Sequence, residues 1–177
     1  MAKSAMKALG TLFEQRFVLK CLEHGLHPFS PIEEGLPQDL LVMNQTNDVL
    51  RVQIKGTKTP INDLKTPRYK ITAATGQSVK RPIDCERIDI VVAHVDPDHW
   101  YIIPCDEVKS VRVWLYPFDE NSVGQYERFR DRWDFLTGNS EVAVTTQANS
   151  YCFLGDTEHA SNDSWTDTVL ESGEDHV

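Results

Sequence analysis

Asp39, Gln53 and Lys55, with Glu14 far upstream, are the residues whose types and spacing could do chemistry. In Arg51-Val52-Gln53-Ile54-Lys55, alternation puts Val52 and Ile54 on one face of a strand and Gln53 and Lys55 on the other. A glutamine carbonyl and an ammonium then stand side by side on a rigid element. Asp39 lies fourteen residues before Gln53, just after Pro37, and opens the apolar run Leu40–Met43. A carboxylate, a carbonyl oxygen and a lysine converging at the edge of a hairpin can hold a divalent cation and a phosphate oxygen. That is chemistry for cutting a phosphodiester.

The elements that must position these groups are legible as patterns. Ser4 to His24 reads as a helix, with Leu9, Leu12, Phe13, Phe17, Leu19 and Leu22 recurring at three- and four-residue intervals and Gly25 as its natural end. Gly10 inside it predicts the close approach of another backbone. His27–Ser30 reads as a short edge strand, and His24 and His27 as part of a capping turn. Leu40–Met43 and Val49–Ile54, joined by the polar Asn44–Asp48, read as a β-hairpin. Lys55–Pro67 reads as loop, Arg68–Thr72 as a strand and Ala73–Pro82 as a polar, basic loop. Ile88–His94 and Trp100–Ile103 form a second hairpin around Asp96-Pro97-Asp98, with His94 and His99 as surface histidines. Pro104 to Glu107 starts a short helix or turn. Val111–Leu115 is expected as a strand, Tyr126–Leu136 as a short helix and Val142–Thr146 as a weak strand. The simplest architecture is α/β (α+β), a mixed central sheet packed against the first helix.

Composition bounds the class. The chain has 177 residues, 40% hydrophobic and 25% charged, which suits a soluble globular domain. Residues 1–154 are expected to form that domain, with a C-terminal elaboration from about residue 109. No apolar run approaches the length needed to span a bilayer, and Met1–Gly10 lacks a signal-peptide core, so the expected place is the cytoplasm, or the nucleoid of a bacterial or phage system. The four cysteines Cys21, Cys85, Cys105 and Cys152 form no C-x-x-C pair, which argues against a zinc ribbon and predicts buried free thiols. No Gly-rich phosphate loop or nucleophile elbow points to small-molecule chemistry.

The formal charge of −9 argues against a nucleic-acid partner until its distribution is read. Gly155–Val177 carries seven acids and no Lys or Arg, and its composition predicts a disordered acidic tail. Between Arg51 and Arg81 eight basic residues stand against the single acid Asp63. Lys58, Lys65, Arg68, Lys70, Lys80 and Arg81 are the candidate nucleic-acid contacts of that stretch. Arg112, Arg128, Arg130 and Arg132 lie among Trp114, Tyr116, Phe118 and Trp133, a mixture that suits either DNA contact or an oligomer interface.

Taken together, these residues resemble the PD-(D/E)XK nuclease superfamily, and within it the small group I intron-associated homing endonucleases and the archaeal-type Holliday junction resolvases. The resemblance runs from about Ala8 to Val108. It is carried by Gly10-x-x-Phe13-Glu14, Pro37-Gln38-Asp39 and Gln53-Ile54-Lys55, then by Ile88-Asp89-Ile90-Val91-Val92 and Trp100-Tyr101-Ile102-Ile103-Pro104. Two departures stand out: the motif's middle acid is Gln53, and Gln38 separates Pro37 from Asp39.

The resemblance implies a restriction-endonuclease-like core with a mixed sheet flanked by helices, and Mg²⁺-dependent hydrolysis of DNA, with Mn²⁺ as a substitute. It makes Glu14, Asp39, Gln53 and Lys55 the catalytic set. Asp39, the Gln53 side-chain oxygen and the Ile54 main-chain carbonyl would hold the ion, with Glu14 reaching it through a bound water. A neutral carbonyl ligand binds a divalent ion less strongly than a carboxylate, so metal affinity is expected to be modest. One motif set per chain and two strands to cut imply a homodimer or larger assembly. The competing expectation is a catalytically inactive nuclease-fold module that binds nucleic acid or a protein partner.

Overall fold

In this computed structural model, residues 3–33, 35–76 and 79–138 are described, all within one unit of the chain, Met1–Thr145. The expected strand at Val142–Thr146, the acidic tail and Cys152 lie outside the described residues.

Helix α1, Lys3–Glu23, ends as its sequence predicts. Gly25 has φ +68°, its N–H donates to the Leu22 carbonyl, and the Leu26 N–H reaches back to Cys21 at 2.8 Å. This pair of bonds is the Schellman arrangement, and Cys21 and Leu26, the residues it ties together, are both buried. Strands β1 (His27–Phe29), β2 (Leu40–Met43) and β3 (Val49–Thr57) follow as an antiparallel meander. The chain then crosses over and returns as β8 (Ile90–Val95), parallel to β3, before turning into β9 (His99–Pro104). The result is a five-stranded mixed sheet in the order β1-β2-β3-β8-β9.

A parallel pair needs a long crossover, which is usually helical. Here it is built from strands. It carries β4 (Pro60–Ile61), β5 (Arg68–Thr72), β6 (Ala74–Thr75) and β7 (Arg81–Pro82). β4 and β5 join β10 (Arg112–Leu115) in a three-stranded antiparallel sheet, and β6 and β7 form a two-stranded ribbon. The loop expected over Lys55–Pro67 is therefore shorter than its composition suggests. β3 runs on to Thr57 because its register with β8 continues to Thr57–Val95.

The helix covers one face of the main sheet. Phe13, Phe17 and Cys21, one turn apart, are buried there with Val52, Ile54, Ile90 and Val92. Close approach occurs at Gly56 rather than Gly10. A β-carbon on Gly10 would meet nothing, whereas one on Gly56 would collide with the Phe13 ring. Gly56→Ala should therefore destabilise the fold by about 1–3 kcal/mol through overpacking. A urea midpoint unchanged from wild type would show that the helix stands further off the sheet.

Four further sequence expectations are corrected. His94 is fully buried, lying between Phe13 (5.0 Å) and Trp100 (4.1 Å). Burial pushes its pKa down to about 4, so the ring is neutral near pH 7. Its place at the end of an apolar strand, in register with Gly56, explains the burial. Cys85 and Cys105 are disulfide-bonded, because the β8–β9 hairpin carries Cys105 back beside the loop that precedes β8. Cys21 is the buried free thiol among the described residues.

The helix expected over Tyr126–Leu136 splits into a 3₁₀ turn, Glu127–Phe129, and one turn of α2, Asp134–Thr137. Between them Arg130 pairs with Tyr101, and the Asp131 N–H donates to the Trp100 carbonyl at 2.8 Å. These contacts occupy the open edge of β9, and the local gain overrides helical spacing. The basic loop expected at Ala73–Pro82 contains the β6–β7 ribbon. No helix among the described residues is long and apolar enough to cross a membrane.

Candidate active site

The site forms where β2 stops. The β2–β3 register begins at Leu40–Val52, and the Asp39 N–H extends it by one bond to the Val52 carbonyl at 2.9 Å. Beyond that point β3 has lost its neighbour. The Asp39 side chain replaces it, since one carboxylate oxygen accepts the Ile54 N–H at 2.6 Å. In a strand, the N–H and C=O of one residue point to the same edge. The Ile54 carbonyl therefore points toward the gap that β2 leaves.

Gln53 and Lys55 lie on the sheet face opposite α1. Gln53 is only 5% exposed. Its amide N–H donates to the Pro37 carbonyl at 3.0 Å, which fixes the rotamer, while its side-chain oxygen is buried with no hydrogen-bond partner. A buried carbonyl left unmatched is unusual and disfavoured by about 1–3 kcal/mol. Lys55 is half-buried beside it. Asp39, Gln53 and Lys55 share a cleft of about 780 Å³ with Lys80, Arg81 and Arg87. Glu14 reaches this place from α1, close enough for Asp39 and Lys55 to act on its charge.

The electrostatics fit a site that wants positive charge. Burial raises the pKa of Glu14, and the Asp39 charge raises it further, against the pull of Lys55. Burial likewise raises Asp39, opposed by the Ile54 N–H and by Lys55. The folded pKa of each lies above its unfolded value, so the native state binds more protons in that interval. The stability these groups contribute is present at low pH and lost as pH rises through the raised values. Glu14→Gln/Asp39→Asn should therefore gain stability relative to wild type as pH climbs out of the ordinary carboxylate range. Thermal melting of the metal-free proteins checks this, and a difference that stays flat with pH would contradict it.

The donor set fits a hard divalent cation. It comprises the Asp39 carboxylate, the unpartnered Gln53 oxygen, the edge-facing Ile54 carbonyl and a second carboxylate from Glu14, all oxygen. Among the described residues no three His, Cys, Asp or Glu side chains gather as a metal cluster.

Not every sequence candidate meets at this place. Lys80 and Arg81 line the cleft, but Lys58, Lys65, Arg68 and Lys70 do not. Asp84 and Arg87 line it too, and sequence reasoning misses them because they lie past Arg81, where the run of basic residues ends. The arginines of the C-terminal segment are mostly committed: Arg128 pairs with Glu107, Arg130 with Glu127 and Arg132 with Asp134.

A family model described as PD-(D/E)XK endonuclease matches residues 4–136. The chain belongs to this family. In this PD-(D/E)XK endonuclease the match takes in the whole site, from Glu14 to the strand pair behind Lys55. Among solved structures, the bacterial homing endonuclease I-Ssp6803I superposes with a TM-score of 0.62 at 21% identity, over 75% of this chain and 93% of that one. That likeness shows the fold: a mixed α+β, restriction-endonuclease-like core, as the resemblance implied. Hjc, a Holliday junction resolvase from Archaeoglobus fulgidus, is similar at a TM-score of 0.39 and 14% identity, over 56% of this chain and 80% of that one, too slight to bear on the fold. No curated protein matches the chain.

Proposed function

We propose that this endonuclease hydrolyses duplex DNA with Mg²⁺, or Mn²⁺ in its place, as a homodimer or larger symmetric assembly. The observation that carries the reading is the buried, unpartnered Gln53 oxygen set beside Asp39 where β2 ends. Asp39, Gln53 and the Ile54 carbonyl would hold the ion, with Glu14 near enough to Asp39 and Lys55 to feel their charge. The bound cation supplies charge neutralisation at the phosphate and a more acidic water.

The chain's own groups do the rest. Lys55 orients the attacking water and stabilises the charge that builds on the phosphoryl oxygens. The Pro37 carbonyl accepts the Gln53 amide N–H and so fixes that side chain in the wall of the cleft. Lys80, Arg81 and Arg87 attract the scissile strand into the cleft, and Lys58 and Lys65 meet the backbone beyond it, whereas Arg68 is already paired with Asp63. The fold is shared with a bacterial homing endonuclease.

Supercoiled plasmid and a synthetic four-way junction, each offered with Mg²⁺ and with Mn²⁺, test the proposal. Metal-dependent nicking and linearisation of the plasmid is the expected result. Preference for the junction would make the enzyme a resolvase. Equal duplex binding by wild type and Lys55→Ala with no cutting of either substrate would favour an inactive binding module.

A further inference from the structure

The outer face of the three-stranded sheet β4-β5-β10 is not part of the cleft, and its chemistry is distinctive. Tyr69, Ile71, Val113 and Leu115 turn inward and are buried. Alternation then turns Arg68, Lys70 and Thr72 outward from β5, and Arg112 and Trp114 from β10. Register sets Lys70 opposite Trp114 and Thr72 opposite Arg112. The Arg68 guanidinium lies over the Trp114 ring at 3.9 Å and donates to the Asp63 carboxylate through Nε and one Nη. Arg68 is thus matched in charge and its indole partner is covered, so the ring is no platform for a stacked base. Lys70 and Arg112 are exposed and enter no ion pair among the described residues. No outward-facing residue on the three strands is acidic.

The chain running from β5 into β6 joins this face to the cleft. Lys70 is four residues before Ala74, a lining residue of the cleft, so the two are at most about 14 Å apart along the chain. That span corresponds to about four base pairs of duplex at ~3.4 Å each.

We infer that the outer face of β4-β5-β10 is a second DNA-docking surface, on which Lys70 and Arg112 grip the phosphate backbone of the duplex flanking the cleavage site. Arg68 and Trp114 stiffen the face between them. The inference rests on the reading of this chain as a DNA endonuclease. It adds that affinity for a long duplex is divided between the cleft and a surface remote from the chemistry.

The test uses the full chain without metal and a fluorescein-labelled duplex of about 30 base pairs and mixed sequence, with anisotropy followed across a salt series. Lys70→Ala/Arg112→Ala should weaken binding roughly tenfold near physiological salt and flatten the log–log salt slope by about 2. Lys70→Glu alone should weaken binding in the same direction. Both positions are exposed, so the variants keep the fold. Wild-type binding with unchanged affinity and slope in the variants would overturn the second surface and leave the endonuclease reading intact. Wild type that fails to bind duplex even at low salt would overturn both.

Discussion

Lys55→Ala is expected to lower the single-turnover cleavage rate about 10²–10³-fold while leaving the fold and most of the DNA affinity in place. The magnitude is that of a preorganised electrostatic stabiliser, about 3–4 kcal/mol of transition-state binding. The position of Lys55 makes the effect chemical rather than structural. It is half-buried on the wall of the cleft beside Gln53, and it makes no ion pair among the described residues. Alanine at this position removes no packed core atom, so the denaturation midpoint should stay close to wild type. One lost cation changes nonspecific affinity by only a few fold. Lys55→Arg separates charge from geometry: a planar guanidinium restores the charge but not the compact ammonium, and recovery should be partial. A variant that loses stability in step with activity would place Lys55 in the scaffold instead.

Asp39→Asn is expected to lower cleavage at least about 10²-fold, because it removes a carboxylate charge from the cleft that the unpartnered Gln53 oxygen borders. The same change should not unfold the protein. The amide oxygen can still accept the Ile54 N–H that the carboxylate accepts at 2.6 Å. It also relieves an unfavourable charge, since burial raises the Asp39 pKa and the site is disfavoured as an anion without a cation. Metal-free Asp39→Asn should melt at or above the wild-type temperature near neutral pH. Mg²⁺ is expected to raise the melting temperature of the wild type and to leave that of the variant unchanged. Ligand linkage makes that rise a direct readout of binding to the native state. An Asp39→Asn variant that is stabilised by Mg²⁺ as strongly as wild type would move the ion elsewhere.

The part of this site carried by short-range pattern was legible in the sequence. Val52 and Ile54 alternate with Gln53 and Lys55, and that alternation is realised as two faces of β3. Asp39 immediately precedes the apolar run that becomes β2. The α1 boundary was readable because Gly25 fits a left-handed end. Long-range geometry was not readable. Nothing local says that β3 outruns β2 and leaves an edge for Asp39 to cap, because register is a property of two strands and of β8 beyond them. Alternation alone does not say that Gln53 is buried and bonded to the Pro37 carbonyl.

The misses share a cause. His94 and Arg130 are polar residues whose place is fixed by neighbours distant in sequence: Phe13 and Trp100 in one case, Glu127 and the Tyr101 edge of β9 in the other. The Cys85–Cys105 bond is of the same kind, since spacing alone does not bring two cysteines twenty residues apart together. Gly56 rather than Gly10 meets the helix for the same reason: the crossing point of α1 on the sheet is set by Phe13, not by the helix's own glycine.

The most direct test of the account is a time course of supercoiled plasmid with wild type, Lys55→Ala and Asp39→Asn side by side, in Mg²⁺ and in EDTA. Conversion to nicked and linear forms by wild type in Mg²⁺ alone, with both variants slowed at least about 100-fold, is the predicted result. Cutting by either variant at the wild-type rate, or cutting that survives EDTA, would contradict a metal-dependent site built on Asp39, Gln53 and Lys55.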